Sequence, residues 1–219
     1  RMEEKGAIYD KKGPTFHGNP KILLHLLALC NSKVGHLIFT LFNSTMSLQV
    51  RDVKNLPVVS CWSEQLIQRT QSLISMAKED WNSRECSVDF KTTPLVKTTR
   101  SELTLEHNLE LLLLKGVDRS KQMQLLEEEN NRHFIKAYGL EEELCPKVPL
   151  SEISLICNPH HRYRRSRSAD HLEERLLSDT LKELVSYAVG CMMGRYSIDR
   201  PGLIIADQGH GLKHYCTMV

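Results

Sequence analysis

A mainly α-helical fold with small β elements, α+β in class, is what this sequence predicts, and three observations lead there. Apolar residues recur at helical spacing in four long stretches. The segments between them are short, polar and punctuated by Gly or Pro. Strand character is confined to two short stretches. With 219 residues the chain can bury an apolar core as one large domain or two small ones. Its 41% hydrophobic and 26% charged residues are a globular balance that excludes wholesale disorder. No apolar run reaches the length of a membrane span, so no membrane partner is expected.

The first helical stretch follows a polar start marked by Gly13-Pro14 and Gly18-Asn19-Pro20. Residues 22–42 are apolar at helical spacing but interrupted at Asn31-Ser32, which predicts two short helices or one broken helix. Leu23, Leu24, Leu26, Leu27 and Leu29 crowd the first part, and Val34, Leu37, Ile38 and Leu41 stripe the second. Both faces need a partner surface and are read as core. Residues 46–53 alternate apolar and polar and predict a short strand, closed by a turn at Lys54-Asn55-Leu56-Pro57. Over about 63–81, Leu66, Ile67, Thr70, Leu73, Ile74, Ala77 and Trp81 make one apolar helix face, with Ser63 as a candidate cap. Residues 82–99, around Pro94, read as a loop.

Residues 101–138 predict a second long amphipathic helix, broken near Gly116 and stopped by Gly139. Its charge-dense run 127–135 reads as a solvated helix face. Beyond Pro146 and Pro149, Ile153-Ser154-Leu155-Ile156 reads as an edge strand. The last helix is expected over about 169–193 and leads to a turn at Pro201-Gly202. Tyr187, Cys191, Met192 and Tyr196 are read as core rather than pocket lining, because sulfur and aromatic side chains at helical spacing usually pack inward.

The formal net charge is only +2, so contact with a polyanion has to come from local clusters of cations. The main one holds Arg162, Arg164, Arg165 and Arg167, four arginines in six positions, with Tyr163 among them. Arginine forks pair bidentately with phosphate oxygens, and Tyr163 can stack on a sugar or base. The competing reading is a solvated basic loop paired with Glu173 and Glu174. Asn31, Ser32, Lys33, Gln49 and Arg51 are a second candidate set for DNA contact. For these the alternative is helix capping by Asn31 and Ser32, and solvation of Gln49 and Arg51 on a strand face. Seven cysteines, an odd number with no C-x-x-C pair and no signal peptide, point to reduced thiols in a cytoplasmic protein. A first residue that is Arg rather than Met predicts that the chain begins inside a longer polypeptide.

Three stretches, in family order, resemble the BREX-type adenine-specific DNA methyltransferases, the PglX family. Cys30-Asn31-Ser32-Lys33-Val34, with Gln49-Val50-Arg51-Asp52-Val53 and Asn55-Leu56-Pro57-Val58, is similar to the edge of that family's target-recognition region. Residues 127–144, with Asn130-Asn131-Arg132-His133-Phe134-Ile135 and Tyr138-Gly139-Leu140 within them, are the second. Ser186-Tyr187-Ala188-Val189-Gly190-Cys191 running through Gly194-Arg195-Tyr196-Ser197 to Pro201-Gly202-Leu203-Ile204 is the third and most specific. The resemblance covers roughly residues 20–206, with gaps in the middle. Met193 stands where the family has an aromatic and Ile205 where it has a tyrosine, and residues 208–219 lie outside the similarity.

The resemblance implies a piece of a larger enzyme, lying downstream of its catalytic domain: a helical spacer attached to the edge of a target-recognition domain. Residues 1–58 would close a target-recognition-like region, 59–140 would form the amphipathic spacer, and 141–219 a C-terminal helical region with a basic loop. The parent would transfer a methyl group from S-adenosylmethionine to the N6 of adenine in a DNA motif, as part of phage defence. Implied partners are double-stranded DNA, the missing methyltransferase domain of the same parent, and other BREX components. The alternative is a helical interaction module of a defence complex that touches no DNA.

Catalytic residues, a cofactor and a metal are not expected in this chain. An amino-methyltransferase needs an N-P-P-Y type tetrapeptide, whose amide and carbonyl accept from the exocyclic amine while the aromatic stacks on the flipped base. Asn158-Pro159-His160-His161 lacks the second proline and the aromatic, and reads as a turn. Gly209-His210-Gly211 follows no convincing βα unit and does not predict an S-adenosylmethionine cradle. Cys157 with His160 and His161 lacks a fourth zinc ligand at suitable spacing.

Overall fold

The computed structural model describes residues 15–43, 49–98, 104–164 and 171–219. These fold as two compact units, one drawn from residues 1–76 and 122–149, the other from 77–121 and 150–219. Nine helices are found among the described residues: α1 Pro20–Cys30, α2 Lys33–Phe42, α3 Val50–Lys54, α4 Glu64–Trp81, α5 Pro94–Thr98, α6 Leu105–Tyr138, α7 Pro159–Arg162, α8 Leu172–Met192 and α9 Leu212–Met218, with a 3-10 turn at Leu150–Glu152. Among the described residues no single helix is long and apolar enough to cross a membrane; α1 and α2 pass such a test only together, across a 75° bend.

In the first unit that bend is a capped corner. Pro20 opens α1 behind Asn19, whose Oδ1 accepts from the Lys21 N–H at 2.9 Å. Ser32 then caps α2, its Oγ accepting from the Gly35 N–H at 3.1 Å and donating to the Leu29 carbonyl at 2.7 Å. The corner turns Ala28, Leu29, Val34 and Ile38 inward onto Leu56, Leu66, Phe134 and Ile135. At the far end of α6, Gly139 takes φ +66°. The Leu140 N–H donates to the Ile135 carbonyl and the Gly139 N–H to that of Lys136, a Schellman stop that a side chain at this φ would strain.

The charge-dense run 127–135 is not a solvated face. Glu128, Asn130 and Asn131 are buried near Phe134 and Ile135 in sequence, and their polar atoms hold the start of α2, a side chain of α4 and irregular chain at 146–148. Asn131 Oδ1 accepts from the Lys33 N–H at 2.9 Å and its Nδ2 donates to the Pro146 carbonyl at 3.0 Å. Glu128 Oε1 accepts from the Val148 N–H at 3.2 Å, while Gln124 Nε2 donates to the Val148 carbonyl at 2.6 Å. Asn130 Oδ1 takes the Arg69 Nε–H at 2.8 Å. Segments without secondary structure must satisfy their backbone polar groups somewhere, and here α6 supplies the partners.

His25 lies in this core, 1% exposed, its ring tilted 37° against that of Trp62 with centroids 4.3 Å apart and edge-on to Phe134 at 5.5 Å. Its Nδ1 finds no hydrogen-bond partner among the described residues. Burial, helped by nearby His133, holds the imidazole below its ordinary value of 6.5. The unfolded chain therefore takes up this proton more readily than the fold. Stability is complete above the ordinary value and is lost as pH falls from there through the depressed folded value. Urea unfolding should give a lower midpoint at about pH 5.5 than at about pH 7.5. His25→Leu should shrink that difference; an undiminished difference in the variant would place its origin elsewhere.

In the second unit, Tyr187 and Tyr196 stack at 5.2 Å, and Phe90 packs edge-on to both at 6.0 and 5.4 Å. Cys191 is half-buried against them, but Met192, expected in the same core, is 85% exposed. α6 runs unbroken past Gly116. This glycine admits Cys157, whose Cβ and carbonyl oxygen would each lie 3.3 Å from any added Cβ.

Both expected strands are corrected. No strand is present among the described residues, so the fold is mainly α without the small β elements. Residues 44–48 lie outside the described residues, and Val50–Lys54 is helical. The Asp52 carboxylate accepts from the Gln49 N–H at 2.9 Å and from Asn43 Nδ2 at 2.7 Å, which starts a helix where alternation suggested a strand. These two bonds also hold the Asp52 carboxyl below the usual carboxylate range. At 153–156, the N–H groups of Ile156 and Cys157 go to the Asp80 carboxylate, at 2.5 and 3.0 Å, rather than to a neighbouring strand.

Candidate nucleic-acid interface

The arginine-rich segment grows out of a short helix fixed at its base. Asn158 caps α7, its Oδ1 accepting from the His160 N–H at 3.1 Å. Its Nδ2 donates to the carbonyls of Leu150 and Ile153, both at 2.8 Å. Arg162, 16% exposed at its side chain, points back at α8: its Nη2 lies 2.8 Å from Glu183 Oε1 and 3.7 Å from Asp179 Oδ2. Tyr163 is buried, donates its hydroxyl to Asp179 Oδ2 at 2.7 Å, and carries the Arg175 guanidinium 4.5 Å above its ring. Burial and the Asp179 bond push the phenol up to about 12. The same bond holds Asp179 below the ordinary carboxylate range. Arg164 is exposed. Arg165 and Arg167 lie outside the described residues.

The acidic partners of Arg162 and Tyr163 are thus Asp179 and Glu183, and Glu174 lies 3.1 Å from His171. Sequence reasoning passed over both, although Arg175, Asp179 and Glu183 recur at helical spacing on α8 and so share a face. Asp80 was hidden because it sits one place before Trp81 in a helix read by its apolar stripe. Trp81 is exposed and Asp80 is the buried neighbour.

The other candidates belong to the first unit. Asn31 ends α1, donating from Nδ2 to the Leu27 carbonyl at 2.9 Å, and Ser32 is the buried cap of α2. Lys33 follows, with its backbone N–H on Asn131. The corner therefore brings Asn31, Ser32 and Lys33 together by capping. Gln49 and Arg51 stand exposed at the start of α3.

Asn158 and Gly209-His210-Gly211 are not arranged as the motifs of a methyl-transfer site. All three hydrogen-bonding functions of the Asn158 amide that the structure engages are spent on the turn and cap described above, and the side chain is buried. It is not placed to receive an adenine amine. Gly209-His210-Gly211 leads into α9, a seven-residue helix, out of irregular chain rather than a strand. Cys157 is not an activated thiol: burial, with the Asp80 carboxylate beside it, pushes it up to about 12. Among the described residues no three His, Cys, Asp or Glu side chains converge as a metal site.

Among its described residues the chain is built of helices, with Arg162 and Tyr163 held on the carboxylate-bearing α8. Compared with known proteins, it is 34% identical over its whole length to an adenine-specific methyltransferase PglX of Lacticaseibacillus casei (strain Zhang). Over 96% of its length it is 31% identical to an adenine-specific methyltransferase BrxX of Escherichia coli O9:H4 (strain HS). The chain spans 17% of the length of each of these relatives. No family model matches it. The chain is homologous, along its own length, to one segment of the PglX and BrxX adenine-specific methyltransferases.

Proposed function

We propose that this chain is a non-catalytic segment of a site-specific DNA adenine-N6 methyltransferase of the phage-defence (BREX) type, contributing DNA target recognition and helical scaffolding. The observation that carries the reading is similarity along the whole chain to two adenine-specific methyltransferases. The anchored arginine segment supports it chemically. Tyr163 and Arg162 fix the base of the segment, and Arg164, with Arg165 and Arg167 of the same basic run in sequence, would supply the guanidinium groups for phosphate oxygens. Lys33 at the α1–α2 corner, with Asn31 and Ser32 beside it, and Gln49 and Arg51 at the start of α3 would meet DNA from the first unit. S-adenosylmethionine and the transfer step belong to the remainder of such an enzyme, which would also be the chain's partner along with other defence components.

The test is fluorescence anisotropy of the 219-residue chain with a labelled adenine-containing duplex across a salt series. Affinity should fall linearly on logarithmic axes. Neutralising Arg164, Arg165 and Arg167 to Gln should flatten the slope by roughly 0.9 for each phosphate that is no longer neutralised. No binding at low ionic strength, or an unchanged slope in the triple variant, would overturn the interface. Methylation of the duplex by the isolated chain would overturn its non-catalytic role.

A second reading, a protein-interaction module without DNA contact, is favoured by one observation. Leu181, Val185, Val189 and Met192 form an exposed apolar stripe at helical spacing on α8. Absence of duplex binding in the salt series selects it.

A further inference from the structure

We propose that the phosphate-binding face of the second unit extends beyond the arginine-rich segment to Arg84, Arg175 and Lys182, which with Arg162 form one phosphodiester-binding cluster around Asp179 and Glu183. The proposal rests on the nucleic-acid reading above and adds residues that the basic segment does not contain.

Three elements build the cluster. Arg175, Asp179, Lys182 and Glu183 sit at positions i, i+4, i+7 and i+8 of α8 and so share one face. α7 brings Arg162 to that face, and the turn after α4 brings Arg84, whose Nη2 is 3.8 Å from Glu183 Oε1. Lys182 Nζ lies 3.1 Å from Asp179 Oδ1. Arg175 is held over the Tyr163 ring, and Tyr163 is itself bonded to Asp179. Three cations thus pair with two carboxylates and a fourth, Arg175, lies over the ring bonded to one of them, an excess of two positive charges in this set; exposed Arg164 stands next to Tyr163.

Partial neutralisation leaves donors to spare. A guanidinium carries five N–H donors and an ammonium three. Arg84 meets Glu183 only at the edge of ion-pair range, with its side chain 34% exposed, and the Lys182 side chain is 73% exposed. An incoming phosphate can therefore be met without breaking the bonds that hold Arg162. Because Arg175 is already oriented by the ring beneath it, less side-chain freedom is lost when it takes a phosphate oxygen. Asp179 and Glu183 space the cations and also repel the ligand. This gives the cluster a signature that damage to the fold does not mimic: removing a carboxylate should tighten binding.

The same anisotropy assay tests it. Arg84→Gln with Lys182→Gln should flatten the salt slope by about 2, roughly 0.9 for each phosphate contact. Glu183→Gln should tighten duplex binding at every salt concentration. Circular dichroism checks the fold, and Lys182→Gln alone, at an exposed site, should flatten the slope by about 1 if the double variant unfolds. If the wild-type chain binds but these variants keep its slope, or Glu183→Gln weakens binding, the cluster is overturned while the nucleic-acid reading stands. A wild-type chain that does not bind the duplex overturns both.

Discussion

Phe134→Ala is expected to lower the unfolding free energy of the first unit by about 3–5 kcal/mol, the usual cost of deleting a buried aromatic ring and leaving a cavity. Phe134 is fully buried among Leu29, Val34, Ile38 and Leu66, and its ring meets those of His25 and His133 edge-on at 5.5 and 5.4 Å. Neighbours drawn from α1, α2 and α4 converge on it, so no one of them can collapse into the space without releasing another. The effect should reach the candidate interface as well. Asn131, less than one turn earlier on α6, holds the Lys33 N–H, and that bond depends on α6 keeping its place against the α1–α2 corner. Chemical denaturation followed by circular dichroism measures the loss. A change below about 1 kcal/mol would mean that the site relaxes freely and that Phe134 does not organise this core.

Much of the helical frame was legible because its signals are local. The break at Asn31-Ser32 and the stop at Gly139 rest on side chains and backbone bonding to groups three to five residues away, and the structure places both as the spacing predicts. What was not legible depends on partners far along the chain. Residues 153–156 look like a strand by composition, yet the N–H groups of Ile156 and the next residue are taken by a carboxylate 76 and 77 positions earlier in sequence. The run 127–135 looks solvated by charge. Its buried members are satisfied by Arg69, Pro146 and Val148, which no helical periodicity could nominate. The candidate interface was legible in the same partial way. Arginine density marked the segment, but the carboxylates that hold its first arginine came into view only with the face of α8.

Asp80→Ala should therefore be as damaging as the loss of the buried ring, by a different route. The carboxylate is buried and accepts two backbone N–H groups, those of Ile156 and Cys157, while its own carbonyl accepts from the hydroxyl of Ser83 at 2.6 Å. Hydrogen bonds to a charged acceptor are worth roughly 1.5–3 kcal/mol each, so losing the pair is expected to cost about 3–6 kcal/mol. Asp80→Asn keeps the size and one acceptor oxygen but turns an amide NH2 toward donors, and should recover only part of the loss. The turn that Asp80 closes runs directly into Asn158 and α7, so the damage should propagate to the segment carrying Arg162 and Arg164. Hydrogen exchange of the Ile156 and Cys157 amides reports the first step. Faster exchange in Asp80→Ala, with a duplex affinity reduced in proportion, would tie the carboxylate to the interface through the turn. Unchanged exchange would show that the two N–H groups find other acceptors, and that the turn does not depend on Asp80.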